Sequence, residues 1–175
     1  LYKHITGPDL PQGSRILKDD GVFAAFNSGH GSIKVYGKWE VSKVTYKKKS
    51  KREAIIVTSL ASGSSERFLE KVKAAVDAGK IDQIVDAADH SSREGINIEL
   101  ILKNGADSNA VIGQLLAHTN LYDTVSVNAM AIKGAIPEMF GVKDVIATWH
   151  GNRSRALVSR YSAECQRIQE RMHIL

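Results

Sequence analysis

Alternating apolar and polar side chains predict β-strands in several parts of this chain. The clearest example is the segment IKVYGKWEV. One predicted face consists of Ile33, Val35, Trp39 and Val41, and the other consists of Lys34, Tyr36, Lys38 and Glu40. This period of two is typical of a half-buried strand with a polar outer face. The segments SRILK, AIIVTSL, INIELILK and TVSVNAMAI predict further strands.

Apolar periods of three and four residues predict helices between these strands. The segment DGVFAAFNSG predicts a small helix, and SSERFLEKVKAAVDAGK predicts a longer one that Ser64 or Ser65 caps and Gly79 ends. Its apolar stripe consists of Phe68, Leu69, Val72 and Val76. The segment DSNAVIGQLLAHT predicts another amphipathic helix, with Asp107 or Ser108 as its cap. This order of strands and helices indicates an α/β or α+β domain.

From Val142 onward the pattern predicts one long helix with a coiled-coil-like seam. The seam consists of Leu157, Tyr161, Glu164 or Cys165, Ile168, Met172 and Leu175. Arg153, Arg160 and Arg167 repeat every seven residues, so they lie along one stripe, for which a solvated helix face is the preferred interpretation.

The charge of the chain is segregated along its length. Residues 1–58 carry 11 basic and 5 acidic side chains, residues 59–140 carry 7 and 11, and residues 141–175 carry 6 and 3. A basic surface of this kind attracts polyanions. The most basic segment runs from Lys43 to Arg52, between two predicted strands that we expect to form a long hairpin tipped by KKKSKR. This tip is either a solvated turn or a contact to nucleic-acid phosphates.

Composition excludes several classes of protein. The 175 residues fit one domain, or a domain and part of the next. The single cysteine, Cys165, excludes an internal disulfide and suits a reducing compartment. No apolar stretch approaches the roughly 20 residues of a membrane span, and the opening LYKHITGPDL lacks the apolar core of a signal peptide. Because the sequence begins without Met and ends RMHIL, we expect a piece of a longer chain.

Motifs for common catalytic and cofactor chemistry are absent from the sequence. The segment GHGSIK lacks the third glycine of a phosphate loop and precedes a strand, and no Gly-Lys-Ser/Thr or Gly-x-Ser-x-Gly occurs. The histidines are scattered, without metal-ligand spacing. Asp82, Asp86 and Asp89 could share a helical face, but a solvated acidic face is the preferred interpretation.

Four segments, in order, resemble the A chains of bacterial type IIA DNA topoisomerases, that is, gyrase A and its topoisomerase IV counterpart. HITGPDLPQG is similar to the family's Ile-Pro-Gly-Pro-Asp-(Phe/Tyr)-Pro-Thr, and GVFAAFNSGHGSIKVYGKWEV to its Gly-Ile-x-x-Ala-Tyr-x-x-Gly-Arg-Gly-Lys/Ser. LLAHTNLYDTVSVNAMAI resembles Leu-x-x-x-Thr-x-Leu-(x)6-Asn-Met-x-Ala, and ERMHIL resembles Asp/Lys-Arg-x-His-Ile-Leu. The resemblance covers essentially the whole chain.

The resemblance implies a tower-like α/β domain over residues 1–141, with a mixed sheet, a long β-hairpin and packed helices. Residues 142–175 would begin the long coiled-coil helix. The chain would then belong to the DNA breakage-reunion subunit of an ATP-dependent type II DNA topoisomerase, where it supports the duplex during strand passage. The family's catalytic tyrosine lies upstream of the Gly-Pro-Asp-Pro stretch. We therefore expect no catalytic residue here, an inactive fragment, and a non-catalytic Tyr161 in SRYSAE.

The expected partners also follow from the resemblance. They are double-stranded DNA, a second copy of the breakage-reunion subunit, and the topoisomerase B subunit, which would carry the ATP and Mg²⁺ sites, so no cofactor is expected in this chain. We expect a cytoplasmic, nucleoid-associated protein without membrane contact. The alternative is a protein-interaction module that does not bind DNA. The apolar seam of the predicted long helix, which still continues at the last residue of the sequence, favours this alternative.

The predicted DNA contacts are basic residues of the strand and of the hairpin tip. They are His30, Lys34, Lys38, Lys47, Lys48, Lys49, Lys51 and Arg52. Lys34 and Lys38 are expected on one polar sheet face, with His30 at its start. Departures from the family pattern include His30 at the arginine of Gly-Arg-Gly and SLASG at Ser59–Gly63. They favour a divergent bacterial, phage or plasmid-borne member.

Overall fold

The computed structural model describes residues 3–5, 7–46, 50–93 and 95–174, without the side chains of residues 50 and 174. These residues contain nine strands and four helices. The first half comprises β1 (Arg15–Ile16), α1 (Asp20–Ser28), β2 (His30–Tyr36), β3 (Lys38–Tyr46), β4 (Ser50–Ser59) and α2 (Ser65–Asp77). The second half comprises β5 (Ile84–Asp89), β6 (Ile98–Leu102), α3 (Ser108–His118), β7 (Tyr122–Asn128), β8 (Met130–Lys133), β9 (Ile136–Met139) and α4 (Val142–Ile174).

The strands form a three-stranded sheet of order β1-β2-β7, a four-stranded sheet of order β3-β4-β6-β5, and a β8-β9 ribbon. All pairs recorded among the described strands are antiparallel. The predicted α+β class is confirmed, together with its long hairpin, formed by β3 and β4, and its long C-terminal helix.

The continuous strand predicted through IKVYGKWEV is wrong, because the chain divides at Gly37 into β2 and β3, which belong to different sheets. The amide of Gly37 donates to the carbonyl oxygen of Leu121 at 2.7 Å, so the backbone leaves the first sheet here. A Cβ at this position would collide with the carbonyl oxygen of Ser59. Beyond the break the predicted apolar face is kept only in part, since Trp39 packs against buried core residues whereas Val41 is 47% exposed.

Two apolar cores hold the sheets and helices together. In the smaller core, α1 packs on one face of the three-stranded sheet through Val22, Ala25, Phe26, Ile33 and Val35. In the larger core, α2 and α3 pack with the four-stranded sheet. Its fully buried side chains include Ile55, Phe68, Leu100, Leu102 and Leu115.

Local capping chemistry sets the helix ends largely as predicted. Ser64 accepts a hydrogen bond from the amide of Arg67 at the start of α2, and Asp107 accepts one from Asn109 at the start of α3. α1 ends at Gly29, which has a φ of 74° and therefore adopts the left-handed conformation that glycine tolerates. The N-cap of α1 is Asp19, which the pattern did not predict.

Two other segments differ from the sequence pattern. The helical face considered for Asp82, Asp86 and Asp89 is wrong, because residues Ile84–Asp89 pair with β6 as an edge strand. TVSVNAMAI is not one strand either. It divides at Ala129, whose amide donates to the carbonyl oxygen of Gly29 and whose carbonyl oxygen accepts from the amide of Phe140.

The long helix α4 begins at Val142 and contains 33 residues. Most of its side chains are exposed, including the predicted seam residues Tyr161, Ile168 and Met172 at 60%, 52% and 69%. The start of α4 coincides with the predicted boundary between residues 141 and 142, although the division into two domains stays a prediction. None of the described helices has the length and apolar character that a membrane-spanning helix requires.

Candidate nucleic-acid interface

The three-stranded sheet has one polar face, because its alternate residues point away from the core that α1 covers. On β2 the residues Ile33 and Val35 are buried against α1, so the residues between them face the other way. The antiparallel register places β7 residues of the same face directly opposite. We call this surface the polar face; it consists of Arg15, His30, Ser32, Lys34, Tyr36, Tyr122, Thr124, Ser126 and Asn128.

Lys34 lies in the middle of the polar face and forms an ion pair with the N-cap of α1. Its Nζ is 3.2 Å from Asp19 Oδ2, and the two side chains are 46% and 24% exposed. The other oxygen, Asp19 Oδ1, accepts from the amides of Gly21 and Val22. The hydrogen bond from Lys34 lowers the pKa of Asp19, and the same bond raises the pKa of Lys34. Lys34 is thus a stable cation that shares its charge with one carboxylate.

His30 begins β2 and is held by a side chain from β7. Its Nδ1 lies 2.6 Å from Asn128 Oδ1, and the two residues are paired in the sheet register. Since an amide oxygen only accepts, this orientation of Asn128 places the proton on Nδ1 of His30. A neutral His30 would then present Nε2 as an acceptor, and only the protonated ring would donate from Nε2 to a phosphate.

Lys38 does not share the polar face with Lys34, which corrects the expected arrangement. The break at Gly37 places Lys38 on β3, where it pairs with Ser59 next to a register shift. Its side chain is exposed, and a Cβ added to Gly13 would lie 3.7 Å from its Nζ. Gly13 belongs to the loop that leads into β1 and lies two residues before Arg15. Lys38 therefore lies beside this loop, and it flanks the polar face without belonging to it.

The hairpin places its described basic residues on opposite sides. Lys47, Lys48 and Lys49 lie outside the described residues. Lys51 pairs with Thr45 and is exposed, whereas Arg52 pairs with Val44 and is half-buried. The guanidinium carbon of Arg52 lies 4.9 Å from the ring centroid of Tyr46. Arg52 is thus held by a cation–π contact, and only Lys51 among the described tip residues extends freely into solvent.

Sequence reasoning missed Arg15 and the β7 residues of the polar face. Thr124, Ser126 and Asn128 are exposed and face the same way as Lys34. The signal was present, because the segment TVSVN alternates between polar residues and valines. The β7 residues carry no charge, so a search for basic side chains does not find them, and Arg15 joins the polar face only through the pairing of β1 with β2.

Carboxylates near the polar face are engaged by neighbouring groups. Asp123 lies on β7, but it faces away from the polar face, opposite Val35. Ser62 donates a hydrogen bond to its Oδ2, and this bond lowers the pKa of Asp123, with smaller contributions from the charges of Lys71 and Arg67. The described part of the chain contains no group of three or more His, Cys, Asp or Glu side chains that could hold a metal ion.

A family model for the A subunit of DNA gyrase/topoisomerase IV matches residues 1–175. The chain belongs to this family. It is 32% identical to the DNA gyrase A protein of Rickettsia prowazekii over 176 aligned residues, which cover 100% of the chain and 19% of the relative. It is 31% identical to the DNA gyrase A protein of Synechocystis, and 30% identical to the probable chloroplastic/mitochondrial DNA gyrase A protein of Oryza sativa. These alignments cover 100% of the chain and 20% and 18% of the relatives.

The chain therefore spans about a fifth of the length of the curated relatives that it matches. The resemblance to the gyrase/topoisomerase IV A family that the sequence motifs indicate is confirmed. The segment SLASG, where the chain departs from the family pattern, forms the end of β4 and the loop that leads into α2. Asn120 donates to the carbonyl oxygen of Ser62, and Ser14 donates to that of Leu60 at 2.6 Å. These bonds tie the loop to the segments that precede β1 and β7.

Proposed function

We propose that this chain is a part of the DNA breakage-reunion subunit of an ATP-dependent type II DNA topoisomerase, in which it supports and binds the duplex through phosphate contacts. The observation that carries the proposal is the polar face in a chain of the gyrase A family. Arg15, Lys34 and His30 lie on one exposed sheet face, with Lys38 beside it. Phosphate contacts of this kind position a duplex without reading its bases.

The other members of the assembly are part of the same proposal. A second copy of the breakage-reunion subunit and a topoisomerase B subunit would complete the enzyme, with ATP and Mg²⁺ bound on the latter. No step of strand cleavage is assigned to this chain, and Tyr161 is proposed to be non-catalytic. This proposal is supported by the position of Tyr161 on α4, which is distant in sequence from the residues of the polar face, and by the exposure of its side chain.

The test is duplex binding by the 175-residue chain as a function of salt concentration. Each neutralised phosphate contributes about 0.9 to the slope of log affinity against log salt. Replacing Lys34 and Lys38 with Ala is therefore expected to weaken binding and to reduce the slope by up to about 1.8. The matched control is Lys73→Ala with Lys80→Ala, which removes the same charge from exposed positions on and after α2.

The two pairs of variants separate a local contact from a general charge effect. Equal losses in both pairs would show that only net charge matters, and unchanged affinity and slope in the Lys34 and Lys38 pair would exclude this face as the DNA site. No binding of the parent chain at about 50 mM salt would contradict the proposal as a whole, since non-specific affinities are measurable there.

A protein-interaction module is the second candidate function, and one observation favours it. The seam of α4 leaves Tyr161, Ile168 and Met172 exposed along one helix. An apolar stripe of this spacing is typical of a helix that packs against another helix. This function would be favoured if the chain failed to bind a long duplex at low salt and yet associated through α4.

A further inference from the structure

The β7 side of the polar face consists of neutral side chains that can donate hydrogen bonds. Ser126 lies opposite Ser32, Thr124 opposite Lys34, and Asn128 opposite His30. Thr124 and Ser126 are exposed, and neither hydroxyl has a hydrogen-bond partner within the described residues. The backbone amide of Thr124 is the group that bonds to Asp123. The two hydroxyls are thus available to a partner in solution.

These side chains are regularly spaced along the edge of a sheet. β7 is an outer strand of the three-stranded sheet, and residues two apart on one strand face are separated by about 6.7 Å. Thr124, Ser126 and Asn128 therefore form a row about 13 Å long. A single DNA strand advances about 3.4 Å per phosphate along the helix axis, so this row matches the axial length of about four phosphate-to-phosphate steps.

The charge on this face selects an anionic partner. Lys34 and His30 lie beside the row on β2, and the neighbouring carboxylate, Asp19, is paired with Lys34. Hydroxyl and amide side chains are regular donors to phosphate oxygens, alongside lysine and arginine. A row of short neutral donors beside the cation Lys34 therefore fits the sugar-phosphate backbone of a nucleic acid.

We propose that Thr124 and Ser126, with Asn128, are positioning contacts that bind the phosphates of one DNA strand through neutral hydrogen bonds. This inference rests on the proposed function, because it assigns further residues to the same duplex-binding face. Its physical consequence differs from that of the lysines. A neutral donor strengthens binding without adding protein charge that displaces condensed counterions, so it raises affinity and leaves the salt slope unchanged.

The experiment compares two matched pairs of substitutions in the 175-residue chain, using a duplex of mixed sequence as the probe. The test pair is Thr124→Val with Ser126→Ala. The control pair is Ser42→Ala with Ser162→Ala, which removes two exposed hydroxyls from β3 and α4, both outside the polar face. We expect the test pair to weaken binding by about tenfold at every salt concentration, with an unchanged slope, and the control pair to bind as the parent does.

A rescue variant separates lost hydrogen bonds from altered packing. Thr124→Ser with Ser126→Thr keeps both hydroxyls, so it is expected to bind within about twofold of the parent. Thermal unfolding of all variants verifies that the fold is retained. The inference is overturned if the test pair binds like the parent, if its salt slope changes, if the control pair loses as much affinity, or if the rescue variant remains weak.

Failure of this inference can be distinguished from failure of the proposed function. If the Lys34 and Lys38 variants reduce the salt slope while the hydroxyl variants bind normally, only the β7 contacts are excluded. If the parent chain does not bind a duplex at about 50 mM salt, both proposals are excluded together.

Discussion

Lys34 Nζ lies 3.2 Å from Asp19 Oδ2, so the central cation of the proposed DNA-binding face is paired with the residue that caps α1. A phosphate that approaches Lys34 must share it with this carboxylate or displace it. We expect Asp19→Asn to strengthen duplex binding by about twofold to fivefold at low salt, which is the scale of an exposed ion pair. Asparagine is an equally good N-cap, so α1 is expected to remain intact.

The control for this prediction is Asp107→Asn, which makes the same change at the N-cap of α3. Both variants raise the net charge by one and retain a capping side chain. Salt-dependent binding of the two variants and the parent is the measurement. A gain in affinity that is equal in both variants would contradict the prediction, because it would show an effect of net charge alone.

Arg52 and Lys51 are adjacent in sequence, but the structure gives them different roles in stability. Arg52 is half-buried and lies over Tyr46, whereas Lys51 is exposed. We expect Arg52→Ala to lower the free energy of unfolding by about 0.5–1 kcal/mol, through the lost cation–π contact and the lost packing of its stem. Lys51→Ala is expected to change it by less than about 0.5 kcal/mol.

Urea unfolding of both hairpin variants provides the measurement, and a double-mutant cycle with Tyr46→Leu isolates the pairwise energy. A coupling energy near zero between Arg52 and Tyr46 would show that the contact does not contribute to stability. Equal changes in the free energy of unfolding for the Arg52 and Lys51 substitutions would also show that the contact does not contribute to stability.

Helix ends could be predicted from the sequence because the chemistry that sets them is local. Ser64, Asp107 and Gly29 act on backbone groups within a few residues of themselves. The pairing of Lys34 with Asp19 could not be predicted in this way. It depends on the antiparallel contact of β1 with β2, which brings the start of α1 beside the middle of the next strand.

The division of one predicted strand into two has a similar cause. Alternation keeps the same phase through Gly37, so residues 33–41 follow one pattern although they belong to two sheets. The change of sheet coincides with contacts of Gly37 to Leu121 and Ser59, which are both distant in sequence. As a result, sequence reasoning placed Lys38 on the same surface as Lys34, whereas the structure separates them.

Gly37 is therefore predicted to be intolerant of even one added methyl group. In Gly37→Ala the Cβ would meet the carbonyl oxygen of Ser59 and would lie 2.7 Å from a methyl carbon of Leu121. We expect a loss of about 1–3 kcal/mol in the free energy of unfolding, as for other overpacked sites. The control is Gly113→Ala in the middle of α3, where an added Cβ meets nothing within 4 Å.

Gly113→Ala is expected to stabilise the chain by about 0.5–1 kcal/mol, because alanine is the better helix former. Chemical denaturation of both glycine variants gives the comparison. If the two substitutions changed stability in the same direction, the close approach at Gly37 would not explain the change of sheet.

The hydrogen bond from Ser62 to Asp123 is predicted to make stability depend on pH. It lowers the pKa of Asp123 in the folded chain below the ordinary value of about 3.9 that the unfolded chain has. The bond therefore adds stability above about pH 3.9, and this stability is lost as the pH falls through the lower, folded pKa. We expect Ser62→Ala to cost about 1–2 kcal/mol at pH 7 and less at pH 3, as measured by denaturant unfolding across this range. The control is Ser42→Ala, which removes an exposed hydroxyl that has no ionised partner. It is expected to change the free energy of unfolding by a small amount that is the same at pH 7 and at pH 3. A cost of Ser62→Ala that is the same at both pH values would show that the bond does not set the pKa of Asp123.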